Sequence, residues 1–273
     1  MRCDFHLHTR LSDGVPTPRE LLAAVRRAGI DAFAVTDHDT LAGWRALAGE
    51  VGLIPGVEVT AGLAGREIHI VALGIDPEHQ GFAAFLAGIR LLRVRRLTQL
   101  IARLGDDVRR GLTIDALASE GDARHADALG RLHLAKALVR RGGVATVADA
   151  FNHHLGDDYL VDADLEPYPH PTVAADAIRA ASGVALLAHP GIYRTLAAVA
   201  PLLDLGLDGL ECNHPNLDPT LAAELTALAR ERGLLISSGS DLHFLGGTRK
   251  PGEWSLGDAQ APLLERLGIR RLG

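Results

Sequence analysis

Cysteine and long apolar runs are scarce in this sequence of 273 residues. The two cysteines, Cys3 and Cys212, are too few for a disulfide framework and indicate a reducing compartment. No apolar run reaches the ~20 residues of a membrane-spanning helix, and the polar start of the chain disfavours a secretory signal peptide. We therefore expect a cytoplasmic protein that does not associate with a membrane.

A large excess of positive charge is also lacking, since 28 Lys and Arg stand against 34 Asp and Glu, a net charge of -6. Binding of long duplex nucleic acid depends on phosphate contacts, so this balance disfavours such a partner. Residues 88–141 differ, with 12 basic and 6 acidic residues. This segment is either an electropositive cap beside an acidic site or a solvated helical face, and the second reading is favoured for Arg90, Arg93 and Arg96.

Seven short apolar runs rich in branched residues predict β-strands, with helical patterns between most of them. The strands are expected near Cys3–Leu7, Ala32–Thr36, Ile54–Val59, Glu67–Gly74, Val184–Ala188, Gly209–Cys212 and Leu234–Ser237. The first helix shows typical boundary signals, because Thr17 and Pro18 precede it and Gly29 follows it. Alternating strands and helices indicate the α/β class, as a mainly parallel sheet or a (β/α) barrel.

The alternation stops between residues 79 and 169, where the pattern is almost entirely helical. Helices are expected at Phe82–Leu104, Leu129–Arg141 and Val144–Phe151. We predict two units. Residues 1–78 and 170–273 form a metal-binding barrel, and residues 79–169 form a helical insertion that caps its active site.

Histidine is abundant, with 13 residues, and it concentrates where the predicted strands end. His6 and His8 are spaced i, i+2, as are Asp241 and His243, so each pair faces one side of an extended strand. Further acidic or histidine residues in or after strands are Asp37, His38, Asp39, Glu58, His69 and His189. Active sites of parallel barrels lie at the C-terminal strand ends, so we expect these side chains to share one site.

The number of these candidate ligands exceeds what one tetrahedral zinc ion needs. It predicts two or three divalent ions, with Glu58 or Asp241 bridging. Mixed imidazole and carboxylate ligands suit Mn²⁺, our first choice, or Fe²⁺ or Zn²⁺.

Four segments resemble the motifs of the PHP family, the polymerase and histidinol phosphatase phosphoesterases. They are His6-x-His8, Thr36-Asp37-His38-Asp39, Ala188-His189-Pro190 and Ser240-Asp241-x-His243. The resemblance implies a distorted seven-stranded (β/α) barrel with a trinuclear metal site. The implied ligand sets are His6, His8, Glu58 and Asp241; Glu58, His69 and His189; and Asp13, His38 and His243. It also implies that Asp37 orients a ligand histidine.

The segment Gly130-Arg131-Leu132-His133-Leu134-Ala135 is similar to one in the TrpH-like branch, which includes 3′,5′-nucleotide bisphosphate phosphatases and a 5′-to-3′ exoribonuclease. There the arginine and histidine contact substrate phosphate, so the resemblance implies this role for Arg131 and His133. A surface arginine on a helix is the alternative for Arg131. The further substrate-binding candidates are Arg194 and His214. Two residues depart from the branch, Leu217 where a histidine is frequent and Asp162 where a basic residue is common.

The leading hypothesis is metal-dependent hydrolysis of nucleotide phosphate esters, either 3′,5′-bisphosphates or the 5′ ends of short RNA, by a metal-activated hydroxide. His189 or His243 would protonate the leaving oxygen, and Asp37 would support catalysis. Two alternatives stay open: an amidohydrolase that cleaves C–N bonds, and a non-catalytic PHP module that scaffolds partners. The sequence leaves the oligomeric state undetermined.

Overall fold

The computed structural model describes residues 1–120, 129–156 and 165–269. Seven strands form one sheet in which spatial order follows chain order. They are β1 (Cys3–Asp4), β2 (Ala32–Val35), β3 (Leu53–Leu63), β4 (Arg66–Leu73), β5 (Val184–Leu187), β6 (Gly209–Asn213) and β7 (Leu235–Ser238). The seven predicted strands are therefore all present.

The two outer strands of the sheet approach each other, so the sheet is a nearly closed barrel. The amide of Phe5 donates to the carbonyl of Ser238 at 3.2 Å, and the amide of His8 donates to that of Leu242 at 3.0 Å. Helices surround the barrel, which confirms the predicted α/β barrel of seven strands. The predicted first strand was too long, because only Leu7 pairs again beyond Asp4, in a single bridge to Leu242.

Helices lie between most of the strands and in one long block after β4. They are α1 (Pro18–Arg27), α2 (Ala42–Arg45), α3 (Gln80–Arg103), α4 (Asp106–Arg109), α5 (Ile114–Glu120), α6 (Arg131–Arg140), α7 (Val147–Ala150), α8 (Pro171–Ala180), α9 (Leu196–Leu203), α10 (Pro219–Glu231) and α11 (Ala261–Arg266). Among the helices described, none combines the length and apolar content needed to cross a bilayer. The predicted helix at Val144–Phe151 is shorter, since α7 gives way to a π-helical turn at Phe151–Leu155.

The direction of β4 differs from the expectation of a mainly parallel barrel. β4 pairs antiparallel with both β3 and β5, whereas the other neighbouring strands pair parallel. The cause is the connection after Leu63, which consists of Ala64 and Gly65 with φ of 49° and 80°. A two-residue turn with positive φ makes a hairpin, and a parallel crossover needs a dozen or more residues. His69 consequently lies within β4, where it pairs with Thr60 of β3.

The helices between residues 80 and 155 pack around an apolar cluster of their own. Its buried members are Leu97, Leu100, Ile101, Leu112, Leu117, Leu129, Leu134, Ala135, Ala137, Leu138, Ala150 and Leu155. A separate, larger cluster fills the space between the barrel and its helices. The division into a barrel and an insertion at residues 79–169 stays a prediction, and this second core supports it.

A buried ion pair attaches α3 to the barrel. The guanidinium of Arg93 donates to Asp39 Oδ2 at 2.5 and 3.1 Å, and both residues are buried. Asp39 also accepts hydrogen bonds from the amide and hydroxyl of Thr60, at 2.7 and 2.8 Å. Arg96 is buried as well, so the reading of a solvated face is wrong for Arg93 and Arg96. Arg93 and Arg96 point inward, where they lie beside the buried carboxylates of Asp39 and Glu67.

We expect Arg93→Met to lower the free energy of unfolding by about 3 kcal/mol, since removal of one partner leaves the Asp39 carboxylate buried without its cation. Urea denaturation followed by circular dichroism measures the loss. The matched control is Arg95→Met on the same helix, because Arg95 is 61% exposed and pairs with Glu166 at the surface. That change should cost less than about 1 kcal/mol, and equal losses would contradict the anchoring role.

Candidate metal centre

A single carboxylate, that of Glu58, lies at the centre of the candidate site. It extends from β3, is 1% exposed, and has five imidazoles around it. Its two oxygens lie 3.0 to 3.3 Å from ring nitrogens of His6, His8, His38, His69 and His189. Burial raises the pKa of Glu58, but the surrounding histidines outweigh it and hold that pKa well below the usual value.

Two more carboxylates complete the rim of the cluster. Asp13 lies 3.2 Å from His243 Nε2, 3.5 Å from His38 Nε2 and 3.6 Å from His8 Nδ1. Asp241 Oδ1 lies 3.3 Å from His243 Nδ1 and 3.4 Å from His8 Nε2. Every residue that the sequence predicts as a metal ligand therefore lies in one cluster. That each of them binds an ion stays a prediction.

The ends of several strands hold the cluster in unusual backbone conformations. His189 follows β5 with φ of 32°, Asp241 follows β7 with φ of 47°, and Asp39 follows β2 with φ of 54°. Left-handed backbone at residues other than glycine costs of order 1–3 kcal/mol each and is concentrated at functional sites. Here it turns the chain sharply so that side chains at the strand ends point into the barrel mouth.

The buried nitrogens of the cluster fit divalent cations. Ring nitrogens without a hydrogen bond occur in His6, His8, His38, His69, His189 and His214. Such orphan nitrogens cost free energy in an apolar interior, and coordination to a cation removes that cost. Four groups of three or four residues each offer ligand atoms that lie within 4.8 Å of one another. They are His8, Asp13, His38 and His243; His6, His8 and Glu58; His6, Glu211 and His214; and His38, Glu58 and His69.

The electrostatics point to the same ligand chemistry. Burial lowers the pKa of His8, yet Asp241 and Glu58 outweigh it and raise that pKa to about 10. Burial likewise lowers the pKa of His69, and Glu58 and Glu67 together raise it to about 9. The carboxylates at this end of the barrel thus favour positive charge on the groups beside them. The raised pKa values of His8 and His69 favour protons on these two rings, whereas burial lowers the pKa of His38 and His189, and bound cations would displace such protons.

Glu211 on β6 is a functional candidate that the sequence analysis did not assign. It is fully buried, and its Oε1 lies 2.9 Å from His6 Nδ1. Its Oε2 accepts the backbone amide of His189 at 2.5 Å. A Cβ at Gly239 would overlap His6 and approach Glu211 Oε1 to 2.8 Å, so glycine is required there. The signal in the sequence is the acidic residue in Glu211-Cys212-Asn213-His214, within a predicted apolar strand.

The hydrogen bonds of Asp37 go to Thr9 and Ser12 and not to a ligand histidine, and its role in catalysis stays a prediction. Its carboxylate accepts the amide and hydroxyl of Thr9 at 2.7 and 2.6 Å, and the hydroxyl of Ser12 at 2.7 Å. Neighbouring residues of an extended segment face opposite sides, so Asp37 points away when His38 points inward. Asp37 therefore holds the loop that carries Asp13.

A cavity of about 360 Å³ lies directly above the cluster. Seven of the predicted ligands line its floor, and Arg93, Gly130, Arg131, Leu132, Phe151 and Gly156 of the helical block form one wall. Its remaining lining residues are Glu67, Ile192 and Asn216. Arg131, at the start of α6, donates from Nη2 to Glu67 at 2.9 Å and from Nη1 to the carbonyl of Leu155 at 3.0 Å.

The other three predicted substrate contacts lie elsewhere. His133 accepts the amide of Gly130 at its Nδ1, and burial lowers its pKa to about 4, so it caps α6 as a neutral ring. Arg194 is exposed, and the described lining of the cavity includes neither Arg194 nor His133. His214 is 1% exposed, and its Nε2 lies 3.5 Å from Asp241 Oδ2. His214 is absent from the described lining of the cavity and lies beside His6 and Glu211, so its contact with substrate stays a prediction.

Residues 4–136 match the model of the PHP domain. A 5′-3′ exoribonuclease of Haemophilus influenzae is 33% identical over 96% of this chain and 98% of its own length. The chain belongs to the PHP family. A 3′,5′-nucleoside bisphosphate phosphatase of Chromobacterium violaceum is 32% identical over 89% of this chain and 87% of its own length. A phosphoribosyl 1,2-cyclic phosphate 1,2-diphosphodiesterase of Eggerthella lenta is 32% identical over 88% of this chain and 93% of its own length.

A solved structure extends the likeness to the fold. The metal-dependent phosphoesterase of Bifidobacterium adolescentis has a TM-score of 0.81 and 30% identity, over 99% of this chain and 97% of its own. The family predicted from the four PHP motifs is confirmed. The predicted enzyme class also agrees with the names of the three relatives, all of which are phosphoric ester hydrolases.

We expect Glu211→Ala to weaken Mn²⁺ binding by ~10- to 100-fold, the usual effect of losing a partner that orients a ligand histidine. The substitution leaves His6 Nδ1 and the amide of His189 without their acceptor, so both ligands lose their fixed positions. Isothermal titration calorimetry on the metal-free protein measures the affinity. Glu224→Ala, at an exposed position of α10, is the control, and equal affinities for the two variants would contradict the orienting role.

Proposed function

We propose that this protein hydrolyses phosphate esters of nucleotides, acting on 3′,5′-bisphosphates or on the 5′ ends of short RNA. The observation that carries the proposal is the single cavity in which the ligand cluster, the guanidinium of Arg131 and an apolar wall meet. The two buried free cysteines suit a reducing compartment, so we propose the cytoplasm as the site of action.

The floor of the cavity would bind the cations and the reacting phosphate. Two or three divalent ions, with Mn²⁺ as first choice, would supply an activated water and take up charge on the phosphoryl oxygens. His189 and His243 line the cavity and are 12% and 22% exposed, so either can reach a leaving oxygen. We assign proton donation to His243, because it is the more accessible of the two and lies between the carboxylates of Asp13 and Asp241, at 3.2 and 3.3 Å.

The apolar wall favours a substrate that carries a base. Leu132, Phe151 and Ile192 line the cavity, and the Arg131 guanidinium lies 5.9 Å from the centre of the Phe151 ring. A phosphate bound by Arg131 would therefore have an aromatic face nearby, on which a nucleobase can stack. A ribose phosphate without a base, like the compound named for the E. lenta relative, would leave that wall uncovered.

The two other functions considered have less support. An amidohydrolase needs no phosphate-binding arginine, and Arg131 projects into the cavity above the cluster. A scaffold module needs no complete ligand set, and all nine predicted ligand positions lie together here. Leu217 packs against the barrel core and offers no polar contact, and Asp162 lies outside the described residues. The choice between bisphosphates and RNA ends thus falls to experiment.

A substrate panel with the Mn²⁺-loaded protein tests the proposal. We expect turnover of a nucleoside 3′,5′-bisphosphate or a 5′-phosphorylated oligoribonucleotide, with little turnover of ribose phosphates that lack a base. Asp241→Ala should abolish the activity and lower the bound metal measured by mass spectrometry, because His6 and His8 lose a shared carboxylate partner. A preference for base-free ribose phosphates, or full activity of Asp241→Ala, would contradict the proposal.

Arg131→Ala separates phosphate recognition from the chemistry at the metals. We expect kcat/KM for a nucleotide to fall ~10- to 1000-fold, the effect of losing a charge-assisted contact, while metal content stays unchanged. Hydrolysis of p-nitrophenyl phosphate, which is too small to reach both walls, should change much less. Equal losses on the two substrates would assign Arg131 to the reacting phosphate, and no loss on either would remove it from the site.

A further inference from the structure

The carboxylate of Glu67 lies between the ligand cluster and the helical insertion. Glu67 is on β4 two residues before His69, so both side chains project from the same face of the strand. Its Oε2 lies 2.9 Å from Arg131 Nη2 and 3.7 Å from His69 Nε2. One oxygen atom therefore faces both a candidate metal ligand of the barrel and the candidate phosphate contact of the insertion.

This position is unfavourable for substrate binding by itself. Glu67 lines the cavity and is only 8% exposed, and a negative charge there repels an incoming phosphate. Two cations offset the charge, Arg131 in direct contact and Arg96 at 3.7 Å. A carboxylate retained at a phosphate cavity, against repulsion, calls for a role other than binding.

The contacts of Arg131 indicate what that role is. A free arginine side chain has many rotamers, whereas here Nη2 is fixed by Glu67 and Nη1 by the carbonyl of Leu155. Leu155 belongs to the insertion, so among the described hydrogen bonds of Arg131 the one to Glu67 links the guanidinium to the barrel. His69, on the same strand, faces Glu58 with Nδ1 at 3.1 Å and Glu67 with Nε2. Because His69 and Glu67 are on the same strand, β4 fixes the spacing between the metal centre and the group that contacts Arg131.

We propose that Glu67 is a positioning residue that holds Arg131 at the distance from the metal centre at which a bound phosphate is attacked. The inference rests on the proposed phosphate contact of Arg131. It implies that Glu67 improves the rate of the reaction at the expense of substrate affinity. Its removal should therefore lower kcat without raising KM, which a purely structural role would not do.

The first test uses Glu67→Gln, which keeps the size and a hydrogen-bond acceptor but removes the charge. With the best nucleotide of the panel we expect kcat to fall ~10- to 100-fold, the effect of a misplacement of about 1 Å, while KM is unchanged or lower. In the Arg131→Ala background the same substitution should not lower kcat further. Turnover of p-nitrophenyl phosphate and Mn²⁺ content should stay at the level of the unsubstituted protein.

A second variant separates position from charge. Glu67→Asp keeps the negative charge but shortens the side chain by one methylene, so kcat should fall while KM does not. Glu166→Gln is the matched control, because it removes the carboxylate that pairs with the exposed Arg95 on the outer side of the same insertion. We expect that control to leave kcat and KM unchanged.

Several results would overturn the inference. An unchanged kcat in Glu67→Gln, or losses that multiply with those of Arg131→Ala, would show that the two residues act independently. A higher KM with constant kcat would make Glu67 a direct substrate contact. Equal losses on p-nitrophenyl phosphate, together with lower Mn²⁺ content, would make it a metal ligand.

A readout without catalysis separates this inference from the proposed function. In the metal-free protein, Glu67→Gln, Arg131→Ala and the double variant should shift the urea midpoint non-additively, because they remove one shared contact. Additive shifts overturn the pair itself. If the pair is coupled but no nucleotide is hydrolysed, the proposed substrate class is wrong, and the kinetic cycle is repeated with the phosphoester of the panel that turns over fastest.

Discussion

The burial of the Glu58 carboxylate among imidazoles is the constraint on which the rest of the structure depends. A charged group removed from water is stable only when opposite charge and hydrogen-bond donors surround it. Glu58 meets this condition with histidines that reach it from the ends of several different strands, each 3.0 to 3.3 Å away. Near closure of the barrel completes the cluster, because it brings Asp241, after the last strand, to His6 and His8, after the first.

The same constraint extends outward through further carboxylates. Asp39 and Glu67 are buried beside the cluster, and the insertion supplies the arginines that balance them, Arg93 to the first and Arg131 to the second. The basic residues of the insertion thus have two roles. It attaches the helices to an acidic barrel, and it leaves a guanidinium at the wall of the cavity, where a phosphate and the cations on the floor can meet.

Some features could not be read from the sequence because they depend on neighbours distant along the chain. The alternation of strands and helices predicted a mainly parallel sheet but not which strand departs from it, and the hairpin at Ala64 and Gly65 reversed β4. Asp37 belongs to one of the family motifs, but the alternation of side chains along its extended segment directs it toward Thr9 and Ser12. Glu211 shows no spacing that marks it, and it becomes significant only because β6 brings it within 2.9 Å of His6.

The sequence by itself determined the number of strands, the place of the helical insertion and the residues of the ligand cluster. The strands and the helical block follow from apolar periodicity and turn residues, and most of the ligands from their place in or after strands, whereas Asp13 came only from the resemblance to the PHP family. Only the tertiary structure decided which groups hold those ligands in place and what Arg131 contacts. Such pairings join residues far apart in the chain, as Glu67 and Arg131 do, and their geometry is set by how the barrel closes and how the insertion packs on it.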